Sequence, residues 1–269
     1  MRGWGSDARD FQIVALASLV VINFVWIDFG AKPLHCAVAI GGALATQVAL
    51  SRWYKLPRLD LRSPLITGLS LSLLLRADAA WLPALAGVIA IGSKFVLRVD
   101  GKHVWNPAGL AIVVLLASSD GVWISPGQWG SAVWFGALVA LLAIMVLRAS
   151  QRLDVALFFL CSHAAFLFAR ALWLGDPAAI PLHQLQSGSL LIFAFFMISD
   201  PRTTPDSRLG RFLFAFGVAL LAHYFAFFMQ MRPALYVALI VLSPVVLVLD
   251  RVVPGRRFQW SATIEGALR

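Results

Sequence analysis

The feature that most constrains this chain is a succession of apolar runs separated by short polar links. Runs at about 11–30, 33–51, 81–98, 131–148, 154–174, 211–229 and 234–250 are long enough to cross a bilayer. Three more, at 64–76, 104–118 and 188–199, are shorter. A twelve-residue helix reaches only about 18 Å, against a hydrocarbon core of about 30 Å. The short runs therefore read as half-helices or broken helices, whose ends must be buried in protein or face a cavity. Charged residues make up 13% of the 269-residue chain and apolar residues 60%, whereas a soluble domain carries about 25% charge. Disordered chains, secreted disulfide scaffolds and ordinary soluble enzymes are excluded. The expected fold is all-α and integral to the membrane, with about ten transmembrane segments. The N-terminal run has no small-residue cleavage pattern and reads as a first helix. Cys36 and Cys161 lie inside apolar runs and read as packing residues.

The net charge of +9 is spread over connecting segments, with no basic arm or face, so nucleic acid is not an expected partner. It reads instead as a topology signal. Arg52, Lys55, Arg58 and Arg62 follow the second run, and Arg148 and Arg152 the sixth. Arg202, Arg208 and Arg211 follow the eighth, and Arg251, Arg256, Arg257 and Arg269 close the chain. Segments 118–130 and 174–187 contain no Lys or Arg. Ten crossings with both termini in the cytoplasm satisfy these placements, as expected of a multi-pass protein of a bacterial-type inner (cytoplasmic) membrane.

Ten divides into two fives that resemble each other. LITGLSLSLLLRADAAW (65–81), a long run and NPAGLAIVVLL (106–116) have a counterpart in LLIFAFFMISDPRTTP (190–205), a long run and RPALYVALIVL (232–242). Leu65 to Pro107 spans 42 steps and Leu190 to Pro233 spans 43. Because five is odd, the second half must run inverted relative to the first, a pattern of membrane folds with a central site. The expected division is 1–130 and 131–250 for the two five-helix repeats, with 251–269 as a basic cytoplasmic tail.

Three polar stretches interrupt the apolar pattern. Ser63-Pro64 opens the first short run, which carries Thr67, Gly68, Ser70 and Ser72; small residues there serve close packing or a ligand. Arg98-Val-Asp-Gly-Lys-His-Val-Trp-Asn-Pro-Ala-Gly (98–109) places Lys102 and His103 beside Asn106-Pro107, a helix-opening pair. These residues suit a phosphate or anionic quinone, or an interfacial anchor and a cap. Ser199-Asp200-Pro201-Arg202-Thr203-Thr204-Pro205 ends the third short run. Asp200 at a helix C-terminus opposes the dipole, so a compensating partner is expected: Arg202, Lys94 or a cofactor hydroxyl.

The strings SPLITGLSLSLLL, GKHVWNPAG and SGSLLIFAFFMISDPRTTPDSRLGR resemble the matching blocks of the RnfD/NqrB family, membrane subunits of Rnf and sodium-pumping quinone reductase complexes. The resemblance covers about residues 60–250 and is most specific at FFMISDPRTTP. It implies ten helices in two inverted five-helix repeats, a fold like that of urea transporters, together with a flavin and a part in transmembrane electron transfer. Family members commonly carry FMN on the threonine of a Ser-Gly-Ala-Thr motif in the loop after the Asn-Pro helix. The corresponding loop here, SSDGVWISPGQWGS (118–131), contains no threonine, and Ser125 stands in a different context. The expected cofactor is therefore a non-covalent flavin, FMN or riboflavin, with a quinone as a further candidate. Trp123 and Gln128 of that loop suit stacking and edge recognition of a flavin ring, or simple interfacial anchoring. The residues expected to line or support the site are Thr67, Gly68, Lys94, Lys102, His103, Asn106, Trp123, Gln128, Asp200, Thr203 and Thr204. Expected partners are membrane lipid and other redox subunits or a flavoprotein. A channel or transporter for a small polar or flavin-like solute is the alternative on the same fold. No hydrolase, Walker or zinc motif is present in the sequence.

Overall fold

The computed structural model describes residues 7–27, 30–125 and 133–258. Helix α1 (Ala8–Ile22) starts at Asp7, whose side chain accepts from the Arg9 amide, and runs into a π-helical turn, Asn23–Ile27. Pro33 opens α2 (Pro33–Trp53), where a missing N–H costs nothing. The first short run forms α3 (Arg62–Leu74), followed by a strand, β1 (Leu75–Ala77). Helix α4 (Trp81–Val96) leads into a small hairpin of β2 (Arg98–Val99) and β3 (Lys102–His103), turned by Asp100 and Gly101, both at positive φ. Asn106 and Pro107 then open α5 (Pro107–Ser118). Strand β4 (Val122–Ile124) returns to pair antiparallel with β1, Arg76 opposite Trp123.

In the second half, α6 (Val133–Ala149) and α7 (Leu153–Leu174) precede a short α8 (Ala179–Leu185). The third short run is α9 (Gly188–Ile192), continuing as a π-helical turn, Phe193–Met197. Helix α10 (Arg208–Phe227) is capped by Ser207. The last run breaks at Ser243-Pro244 into α11 (Ala234–Leu242) and α12 (Val245–Val252), bent by 48°. Pro244 removes a backbone donor and crowds the preceding turn.

The chain is thus a mostly helical, multi-pass membrane protein. Among the described residues four helical segments are long and apolar enough to cross a membrane: Ala8–Trp26, α2, α7 and α10; the bent α11–α12 pair makes a fifth. Helix α4, expected as a full span, is shorter, because Leu97 and Arg98 turn into the hairpin. The two short ladders and α8 were not expected of an all-α chain.

Close approach of backbones organises the first half. A Cβ at Gly87 of α4 would lie 2.6 Å from the Ala43 nitrogen and 2.7 Å from the Ala39 oxygen of α2. Without the hydrophobic effect to drive helices together in lipid, such small-residue contacts supply the packing. Ion pairs collect the helix ends that carry the basic segments: Arg9 with Asp7 and Asp60, Arg62 with Asp10, and Arg211 with Asp154. Lys102 joins Asp206 and Asp250 at the same end, whereas β1 and β4 lie at the far end of α3.

Candidate functional site

At the end of the bundle where the ion pairs gather, the start of α3, the end of α4, the start of α5 and the polar break after Met197 converge on a cavity of about 240 Å³. One water needs about 10–15 Å³, so the space accommodates an organic ligand. The start of α1 and the ends of α2 and α6 close it through Gln12, Gln47 and Ser150.

Five of the residues singled out from sequence meet here: Thr67, Lys94, His103, Asn106 and Asp200. Lys94 is buried, and its ammonium donates to Ser63 Oγ at 2.7 Å and Thr67 Oγ1 at 3.0 Å. No carboxylate lies within 4 Å of it among the described residues. The first turn of α3, whose free N–H groups carry the positive end of the dipole, thus has a second positive charge beside it. Asn106 is buried and uses both ends of its amide. Its Oδ1 accepts from the Gly109 amide at 3.0 Å, capping α5, and its Nδ2 donates to the Met197 carbonyl at 3.3 Å. It ties the opening of α5 to the second broken helix.

Asp200 accepts from the Arg202 amide at 2.9 Å, a local turn rather than an ion pair. Its compensation comes at longer range, from Lys94, Arg202 and Arg152. Burial raises its carboxyl pKa, opposed by that amide and those charges. His103 is held neutral: burial above all, then Arg98, Lys94 and Arg202, push its pKa down to about 3. Its Nδ1 is buried with no hydrogen-bond partner among the described residues.

The other sequence candidates fall elsewhere. Gly68 faces α2, where a Cβ would lie 2.7 Å from Ile40 Cα. Lys102 points away from the cavity to Asp206 at 3.1 Å and Asp250 at 2.6 Å. Consecutive strand residues project to opposite faces, so the hairpin that aims His103 inward aims Lys102 outward. Thr203 and Thr204 are buried scaffold: their amides donate to the Asp200 carbonyl, and Thr204 Oγ1 accepts from Arg152 Nε at 2.9 Å. Trp123 lies at the opposite end of α3, beside a small recess with Arg76 and His35. Gln128 lies outside the described residues.

Several further residues line the cavity beyond those expected to form the site. Arg98 and Arg202 flank the chosen motifs, and Phe95, Phe195 and Phe196 supply aromatic walls. Gln47, a polar residue late in an apolar run, was the available signal on α2. Arg9 and Asp60 had none, since loop ion pairs are ordinary. Asp60 is paired with Arg9, which it shares with Asp7, and Asp200 shares the cavity with Lys94, Arg98 and Arg202. With two helix N-termini added, the cavity is electropositive and suits an anionic or electron-rich aromatic ligand.

Comparison with known proteins identifies a family and two relatives. The model of the NQR2, RnfD, RnfE family matches residues 121–259. A subunit of the ion-translocating oxidoreductase complex of Pseudomonas paraeruginosa (strain DSM 24068 / PA7) is 28% identical over 265 residues, covering 76% of this chain and 77% of that protein. The subunit of the same description from Stutzerimonas stutzeri is 35% identical over 77 residues, 29% of this chain and 22% of its own length.

Proposed function

Since the chain belongs to the NQR2, RnfD, RnfE family, we propose that it is a flavin-binding membrane subunit of a complex for transmembrane electron transfer. The observation that carries this reading is the electropositive cavity with its orphaned His103 Nδ1 and aromatic walls. A flavin, FMN or riboflavin, supplies one- and two-electron chemistry when bound; the protein supplies position and electrostatics. Lys94, Arg98 and Arg202 attract a phosphate or the negative charge of a reduced ring. Phe95, Phe195 and Phe196 flank the ring system. His103, neutral, and Asp200 would supply the hydrogen-bonding groups that hold it. Attachment is non-covalent on this reading, because 118–131 has no threonine and Ser125 is buried, its amide bonded to the Leu74 carbonyl.

The finer architecture belongs to the same proposal: ten segments in two inverted repeats, 1–130 and 131–250, with 251–269 as a cytoplasmic tail. Matched packing supports it. Helix α2 packs on α4 as α7 packs on α10, and α4 on α5 as α10 on α11. Across the halves α1 meets α6 and α5 meets α11, each a helix against its counterpart, as a two-fold relation requires. The basic helix ends then lie on the cytoplasmic side of the inner membrane, and the cavity opens toward redox subunits or a flavoprotein there.

Titration of flavin-depleted protein with FMN and with riboflavin, followed by quenching of flavin fluorescence, tests the reading. Lys94→Met should weaken FMN binding by about 100-fold, as a unit charge about 6 Å away at an effective dielectric of ~20 contributes about 3 kcal/mol. Equal affinity in wild type and variant would refute the assignment of the cavity.

A further inference from the structure

Away from this cavity, a recess of about 310 Å³ opens between the C-terminal ends of α7 and α10. Phe166, Trp173, Phe227 and Phe228 form its walls, and Arg170 and His223 are its polar groups. The Arg170 guanidinium lies over the Phe227 ring, 4.2 Å from its centroid. Stacking fixes the plane of the cation and leaves its N–H edges available. Its pairing with Asp176 is loose, at 3.7 Å, with both side chains about one-third exposed. His223 Nδ1 is buried without a hydrogen-bond partner among the described residues.

Depth in the bilayer narrows the occupant. Arg170 stands four residues before the end of α7, about 6 Å below it. Next to it the exposed Trp173 suits the aromatic belt at the interface. A phosphate group resides at that level, and the acyl chains below it would meet the apolar groove where Phe166 packs on Phe216. An unlocked cation beside an unlocked carboxylate matches a headgroup with two separated opposite charges. A purely anionic headgroup would be repelled by Asp176, and a neutral ring ligand would leave that carboxylate without use.

We propose that this recess binds one zwitterionic phospholipid bearing a free ammonium, of the phosphatidylethanolamine class. Its phosphate accepts from Arg170 and His223, and its ammonium donates to Asp176. The test is native mass spectrometry of protein purified in mild detergent and equilibrated with mixed micelles of ethanolamine and glycerol phospholipids. Wild type should retain one ethanolamine lipid. Arg170→Ala should lower retention of both lipids by about tenfold, with an unchanged circular dichroism spectrum. Asp176→Asn should retain lipid but shift the preference toward the glycerol headgroup by about tenfold. Retention in Arg170→Ala equal to wild type overturns the proposal, as does co-purification of a quinone in place of lipid. Should Arg170→Ala fail to fold, an unchanged headgroup preference in Asp176→Asn overturns it alone. None of these outcomes depends on the flavin reading.

Discussion

Replacing Asn106 separates the two jobs its amide performs. In Asn106→Ala the Gly109 amide loses its cap, a loss of typically about 1 kcal/mol. The hydrogen bond from Nδ2 to the Met197 carbonyl also goes. That carbonyl still accepts from the Asp200 amide at 3.3 Å, so the second loss is the net value of one bond, about 1 kcal/mol. Together they predict destabilisation by about 2 kcal/mol. Asn106→Ser keeps a capping oxygen but cannot span to Met197, and should lose about 1 kcal/mol. Unfolding in mixed detergent micelles followed by tryptophan fluorescence measures both. Hydrogen exchange at the Gly109 amide should quicken in the alanine variant and not in the serine variant. Alanine and serine variants each within about 0.5 kcal/mol of wild type, the usual range for surface substitutions, would refute the assignment of Asn106 as the tie between the two broken helices.

Other substitutions address the surrounding architecture. Lys102→Met leaves Asp206 and Asp250 facing each other at 12% and 18% side-chain exposure; the buried charge should destabilise by about 3 kcal/mol, read from the same unfolding assay. Gly87→Val should disrupt folding through contact with the α2 backbone, whereas Gly92→Ala, with open space around its Cβ, should melt like wild type. His103 gives a pH signature with a definite sign. Its folded pKa is depressed to about 3 from 6.5, so between those values the unfolded chain binds the proton and stability falls as pH falls, by up to about 1.4 kcal/mol per unit. Comparison of wild type with His103→Asn from about pH 6 to about pH 4, inside that window, isolates this slope from the opposing effect of Asp200. Parallel curves would mean that His103 is solvated.

Much of the helical pattern was legible because a lipid-facing helix must be apolar along its length, and every apolar run found in the sequence became a helical element. Lengths were less legible. The run 81–98 includes residues that the Asp100-Gly101 turn draws out of α4, and the run 234–250 conceals the break at Ser243-Pro244. The proline was a visible warning. At the cavity, polar residues at breaks in apolar runs pointed to Thr67, Lys94, His103, Asn106 and Asp200. Lys102 lies outside the cavity because strand alternation, which proximity in sequence does not reveal, turns it outward. Thr203 and Thr204 lie outside the cavity because the turn around Asp200 and Arg152 engage their polar groups internally. Arg9 comes from a segment distant from the motifs, and only tertiary packing brings it beside Asp60 at the cavity.

The central claim is that this protein holds a flavin without a covalent bond. Its most direct test is an absorption and fluorescence spectrum of the protein purified gently in detergent, repeated on the supernatant after acid denaturation. Flavin colour in the intact protein that passes wholly into the supernatant is the predicted result. A colourless protein, or colour that stays with the precipitated chain, would contradict it.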